Sequence, residues 1–89
     1  MDYEILLHPK AKNFLSKLDQ KIKERIKNKL KELKKSPDET GKHLKYSIYW
    51  SLRIGNYGVI YKINKKKKEI IILFIGHRKN VYDDLSKFF

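Results

Sequence analysis

Tyr49-Trp50-Ser51-Leu52-Arg53-Ile54-Gly55-Asn56-Tyr57-Gly58-Val59-Ile60-Tyr61-Lys62-Ile63 is the stretch that decides the fold. It reads as two strand patterns separated by two turn residues. A Gly-X pair in a two-residue hairpin loop suits a type II′ turn, because Gly55 takes φ > 0 without steric cost. With Gly55 and Asn56 as the loop, Ile54 faces Tyr57, Arg53 faces Gly58, Leu52 faces Val59 and Trp50 faces Tyr61. Side chains alternate between faces along a strand. One face then carries Ile48, Trp50, Leu52, Ile54, Tyr57, Val59, Tyr61 and Ile63, an apolar surface that needs a cover. The other carries Tyr49, Ser51, Arg53, Gly58, Ile60 and Lys62. Arg53 there stands opposite a residue with no side chain, which leaves room for a charged ligand.

Upstream, Tyr3 to Leu7 alternates as a short first strand. Pro9 suits the first turn of a helix, where its missing N–H costs nothing. Ala11, Phe14, Leu15 and Leu18 then recur at helical spacing. Asp19 is the expected N-cap of a second helix, whose apolar stripe is Ile22, Ile26, Leu30 and Leu33. The rest of that helix is dense in lysine, with Arg25 among the lysines. Only a short segment around Asp19 separates the helices, so they form a hairpin. Ser36-Pro37-Asp38 ends the second helix, and Asp38 to Lys45 reads as a polar connection.

Downstream, Asn64 to Lys68 is a second turn, with the lysine run Lys65-Lys66-Lys67-Lys68. Glu69 to Ile75 is apolar on both faces, the pattern of a strand that is central or covered on both sides. Gly76 breaks the run, His77-Arg78-Lys79-Asn80 follows as a loop, and Val81 to Phe89 reads as a short helix. The expected fold class is α+β. An N-terminal strand, an antiparallel helix hairpin and a three-stranded antiparallel meander form one mostly antiparallel sheet with helices on its apolar face. A single domain spans residues 1–89.

The charge is +12, from 22 Lys and Arg against 10 Asp and Glu. A field of that size favours polyanions, nucleic acid before anionic membrane. Disorder is excluded, because 40% of the residues are hydrophobic and they fall into periodic patterns. No cysteine is present, which removes thiol chemistry and any disulfide-linked partner and makes a cytoplasmic location the simplest expectation. The longest apolar run, Ile70 to Ile75, is too short to cross a membrane. The first residues lack the pattern of a secretory signal.

Several constellations are absent. His8, His43 and His77 are scattered, so no zinc spacing exists, and no glycine-rich phosphate loop precedes a helix. Asp83-Asp84 sits where a helix N-terminus is expected, which fits a helix-dipole role. Arg53 is either a surface ion-pair residue or a phosphate clamp, since guanidinium presents a planar donor fork. Lys62 shares its face, and Tyr49 shares it as a ring able to stack on a base. Trp50 and Tyr61 fall on the core face. The lysine run is either a solvated hairpin tip or a docking point for a phosphate backbone. Arg78 follows the last strand, where a rigid element holds a functional group at the rim of a sheet. His77 adjoins it and Tyr82 lies four residues on; each is either structural or part of a site with Arg78.

The segment Leu52 to Ile63, followed by Ile75-Gly76-His77-Arg78 and Val81-Tyr82, resembles the RelE/ParE toxin superfamily of type II toxin–antitoxin systems, in its RelE-like branch. The resemblance spans nearly the whole chain, including the helix hairpin and Ser36-Pro37. It implies a microbial-ribonuclease-like fold and a cognate RelB-like antitoxin. It also implies an endoribonuclease that cuts mRNA on the ribosome. In that chemistry the substrate's own 2′-OH attacks the neighbouring phosphate, and no metal or other cofactor is needed. The reaction requires a base, positive charge on the developing phosphorane and an acid for the leaving oxygen.

Carried over by position, Arg78 stabilises the transition-state charge. Tyr82 stacks on the substrate or moves a proton, His77 is a proton carrier, and Arg53 matches a common hairpin arginine. Lys42, Lys45, Tyr49, Lys62 and Lys79 are the implied RNA contacts. Two departures count against cleavage: Gly58 stands where many RelE-type toxins have arginine, and Tyr49 and Ser51 stand where the best-known members have lysine. Two alternatives therefore remain: a ParE-like toxin that binds DNA gyrase and cuts nothing, and a non-catalytic RNA-binding module.

Overall fold

The computed structural model describes residues 2–80. Its elements in chain order are β1 (Glu4–Leu7), α1 (Pro9–Ser16), α2 (Gln20–Lys35), α3 (Pro37–Thr40), β2 (Lys42–His43), β3 (Tyr49–Ile54), β4 (Tyr57–Asn64) and β5 (Glu69–His77). One five-stranded sheet has the order β1-β5-β4-β3-β2. The β1–β5 pair is parallel and the others are antiparallel. This is the expected α+β architecture with one more strand and one more helical turn. The segment read as a polar connection contains both additions, α3 and the edge strand β2.

The hairpin register is the expected one: Ile54 pairs with Tyr57, Arg53 with Gly58, Leu52 with Val59 and Trp50 with Tyr61. Gly55 has φ +59° while Asn56 is not among the positive-φ residues, the pattern of type II′ and not of type I′. The core lies between the sheet and the helices. It gathers Ala11 and Leu15 of α1, Ile26, Leu30 and Leu33 of α2, and Leu52, Ile54, Val59, Tyr61, Ile70, Ile72 and Ile75 of the sheet. Each fully buried Ile or Leu contributes about 1.5–3 kcal/mol, so the α2 stripe alone anchors the helix.

The helices start where local chemistry puts them. Asp19 caps α2, its carboxylate accepting from the Lys21 N–H at 3.2 Å. Pro9 opens α1, and the preceding His8 accepts from the Lys10 N–H through Nδ1. Tyr3 N–H donates to Lys34 O at 2.9 Å, tying the approach to β1 to the end of α2.

Three expectations are corrected. Ile48 lies outside β3 and is 64% exposed, because the strand starts one residue later and the preceding residues form a turn. Gly76 does not end β5: it pairs with Gly58, and His77 pairs with Tyr57, so both belong to the strand. Ile60 is fully buried, with Leu44, Tyr49 and Phe74 packed around it. The second face of the hairpin is therefore part apolar, with a small core of its own.

β5 is an inner strand, as its two apolar faces required. A register shift between Ile60/Tyr61 on β4 and the facing residues of β5 moves the pairing from Phe74 to Ile72. The extra residue, Leu73, lets both apolar sets of β5 keep their sides. Among the described residues, no helix is long and apolar enough to cross a membrane.

Candidate nucleic-acid interface

Residues paired across strands project to the same side of the sheet. Lys42 pairs with Ser51, Tyr49 with Lys62, and Arg53 with Gly58. These six therefore share the face away from the helices. Arg53 and Lys42 are exposed and Lys62 is half-buried. Tyr49 is half-buried against Ile60. Lys45 is exposed in the turn before β3. Gly58 is itself buried, so the place beside Arg53 is not the open floor that a missing side chain promised.

The rim at the end of β5 is built differently. His77 pairs with Tyr57 and sits on the helix side. Its ring stacks on Tyr57 with centroids 4.9 Å apart and meets the edge of Phe14 at 6.2 Å. The structure thus separates His77 from Arg53, which projects to the opposite face. Arg78 follows at once. Its N–H donates to Asn56 O at 2.9 Å, fastening the strand end to the hairpin turn. Residues 78–80 are helical, and Arg78 and Lys79 are exposed. A cavity of about 320 Å³ is lined by Asn56, His77, Arg78 and Lys79. Tyr82 and the segment Val81 to Phe89 lie outside the described residues.

One residue that the sequence reading passed over belongs beside this rim. Arg25 of α2 reaches the hairpin turn, its Nη1 standing 3.1 Å from where a Cβ on Gly55 would lie. It helps to line a second cavity, of about 260 Å³, that also includes Asn56, Tyr57 and His77. The available signal was its identity: it is the arginine in a helix whose other cations are all lysine.

The lysine run lies at the far end of β4. Eight residues of strand separate it from the Gly55 turn by about 26 Å. Lys65, Lys66 and Lys67 are exposed. Lys68 is partly committed, with Nζ 5.0 Å from the centre of the Tyr3 ring, a cation–π contact. Asn64 Oδ1 accepts from the Lys67 N–H at 3.1 Å and closes the turn. Among the described residues the surface thus has three cationic zones: the Arg53 face, the Arg78 rim and the distant lysine turn.

The core-face aromatics form a row of their own. Trp50 stacks on Tyr61 at 6.3 Å and lies 4.9 Å from the ring of His43. Tyr61 is fully buried. Burial pushes its hydroxyl well above the usual phenol range, with the Asp38 carboxylate adding to the rise.

A family model described as "ParE toxin of type II toxin-antitoxin system, parDE" matches residues 5–82. No curated protein matches the sequence significantly. Among solved structures, the chain is similar to a RelB–RelE antitoxin–toxin complex from Methanococcus jannaschii, at 29% identity and TM-score 0.68, over 88% of this chain and 95% of that one. It is similar to the RelBE2 toxin–antitoxin complex from Mycobacterium tuberculosis, at 25% identity and TM-score 0.77, over 88% and 100%. The isolated E. coli RelE toxin shares the fold, at 23% identity and TM-score 0.75, over 96% of each chain. The chain belongs to the RelE/ParE toxin superfamily of type II toxin–antitoxin systems.

Proposed function

We propose that this toxin arrests translation by cutting mRNA on the ribosome, without a metal cofactor. The observation that carries the reading is the setting of Arg78. Its backbone is fastened to Asn56, its side chain is exposed, and it borders a cavity with Asn56, His77 and Lys79. A guanidinium on a rigid rim is preorganised for the charge of a phosphorane. In this reading Tyr82 stacks on the substrate or moves a proton. Arg53, Lys42, Lys45, Lys62 and Tyr49 guide RNA over the open face, and Lys79 does so at the rim. His77 positions the strand end. The family match and the RelE-named neighbours support a toxin, and the net charge of +12 supports an RNA-lined target.

The solved neighbours include RelB–RelE complexes, which supports a cognate antitoxin as partner. An acidic and apolar segment suits the cationic surface.

A gyrase-directed toxin is the second reading. It is favoured by Gly58, which is buried and stands where many RelE-type toxins carry arginine, and by the separation of His77 from Arg53. One experiment decides between them. The protein and its Arg78→Ala variant are added to a translating extract, and mRNA 5′ ends are mapped by primer extension. Codon-phased cuts by the wild type that vanish in the variant are expected. Intact mRNA together with blocked gyrase supercoiling overturns the nuclease reading.

A further inference from the structure

Arg25 has no carboxylate within reach along its own helix. One turn away in either direction stand Lys21, Ile22, Asn28 and Lys29. Its neighbour Glu24 accepts from Gln20 Nε2 at 3.2 Å. Lys29 is paired with Glu32 at 3.1 Å, and Arg25 is in no ion pair among the described residues. Like charges four residues apart destabilise a helix by a few tenths of a kcal/mol, so Lys21 and Lys29 add local repulsion at Arg25.

Despite this, the guanidinium is placed. Its Nη1, Cζ and Nη2 lie 3.1, 3.3 and 3.4 Å from the position a Gly55 Cβ would occupy. The fork therefore lies over the β3–β4 turn, in space that only glycine leaves. The two cavities at this turn meet at shared residues. Asn56 and His77 line both, with Arg25 on one side and Arg78 with Lys79 on the other. His77, one of the shared residues, stacks on Tyr57. Two planar donor forks thus flank a polar turn, and both are exposed.

We infer that Arg25 is a phosphate-binding residue for an RNA strand that crosses the β3–β4 turn from the Arg78 rim toward α2. The inference rests on the RNA-directed reading above and adds a direction to it. Beyond the open face and the Arg78 rim, the strand continues over the hairpin tip on the helix side. Arginine suits the role because its fork matches phosphate oxygens bidentately and stands over the turn at Gly55. Backbone phosphate is the proposed ligand, because Arg25 is exposed, is in no ion pair among the described residues, and adds charge that any sequence of RNA can use.

The test is binding of the full chain to a short labelled single-stranded RNA, by fluorescence anisotropy across a salt series. Wild type, Arg25→Gln, Arg25→Lys and Lys27→Gln are compared, with urea midpoints confirming that each is folded. Each phosphate neutralised on a single strand adds about 0.7 to the salt slope. Arg25→Gln is expected to lower the slope by about that amount and Lys27→Gln by less than half of it. Arg25→Lys keeps most of the slope and loses affinity, because the charge stays and the fork does not. The inference is overturned by an Arg25→Gln protein that matches Lys27→Gln, or by a wild type that binds no RNA. Primer extension in the translating extract reads the nuclease proposal separately. Absent cuts with an intact Arg25 slope sink that reading and leave the phosphate site standing.

Discussion

The Tyr61 hydroxyl donates a 2.7 Å hydrogen bond to the carbonyl of Pro37, across the core from β4 to α3. The bond ties the sheet to the segment that leaves α2. Gly41 completes the arrangement, because a Cβ there would collide with the Tyr61 hydroxyl and lie 2.8 Å from Ser51 O. Tyr61→Phe removes the donor and with it the hydrogen bond, which costs about 0.5–1.5 kcal/mol. Urea unfolding of the two proteins at neutral pH measures it. A midpoint unchanged by Tyr61→Phe refutes the tie.

The same hydroxyl gives stability a pH dependence. Burial and the nearby Asp38 carboxylate raise its pKa in the folded state. The folded protein therefore holds the phenolic proton more tightly than the unfolded chain does. The resulting stability is complete below about pH 10, the ordinary phenol value, and is lost as pH rises above it. Urea midpoints of wild type and Tyr61→Phe between pH 9 and 11 are expected to converge as pH rises. A constant gap contradicts this.

Two left-handed residues predict opposite responses. Gly55, at φ +59°, lies under Arg25, so Gly55→Ala suffers backbone strain of about 1–2 kcal/mol and displaces the guanidinium. Tyr46 has φ 60° with a bulky side chain and is 101% exposed, so truncating it forfeits no packing. Tyr46→Gly relieves strain of about 1 kcal/mol or more, offset in part by glycine's freer unfolded chain. Thermal melts are expected to show Gly55→Ala falling by several degrees and Tyr46→Gly level or slightly higher. A lower midpoint for Tyr46→Gly would mean that its ring is held by contacts.

The hairpin was legible because two independent signals agree there: a Gly-Asn turn and an alternation that holds on both sides of it. Asp19 and the α2 stripe were legible for the same kind of reason. The edge strand β2 was not, because Lys42–His43 is two residues long and polar, and two residues carry no period. Gly76 misled because glycine breaks strand propensity, whereas here it pairs with Gly58 inside the sheet. The site was legible only as residue types. Which cations converge is set by a long-range packing event, α2 laid against the hairpin turn, and no local pattern around Arg25 announces it. The side of the sheet taken by His77 followed from strand length: reading the strand as ending at Ile75 left His77 without a register.

His77 offers the last prediction, because its placement separates two roles. Its ring stacks on Tyr57 and meets Phe14 edge-on, and it precedes Arg78 directly. If the imidazole moves a proton, removing it costs about 10²–10⁴-fold in cleavage whatever replaces it. If the ring positions the strand end, an aromatic replacement restores function. We expect the second outcome. On the proposed nuclease reading, His77→Ala loses about 0.5–1.5 kcal/mol of stability together with cleavage activity. His77→Phe recovers most of both, and its cleavage–pH profile keeps the wild-type shape between pH 5 and 8, where a histidine proton carrier imposes a limb. A His77→Phe protein as stable as wild type but without cleavage would assign the proton to His77 and refute the positioning role.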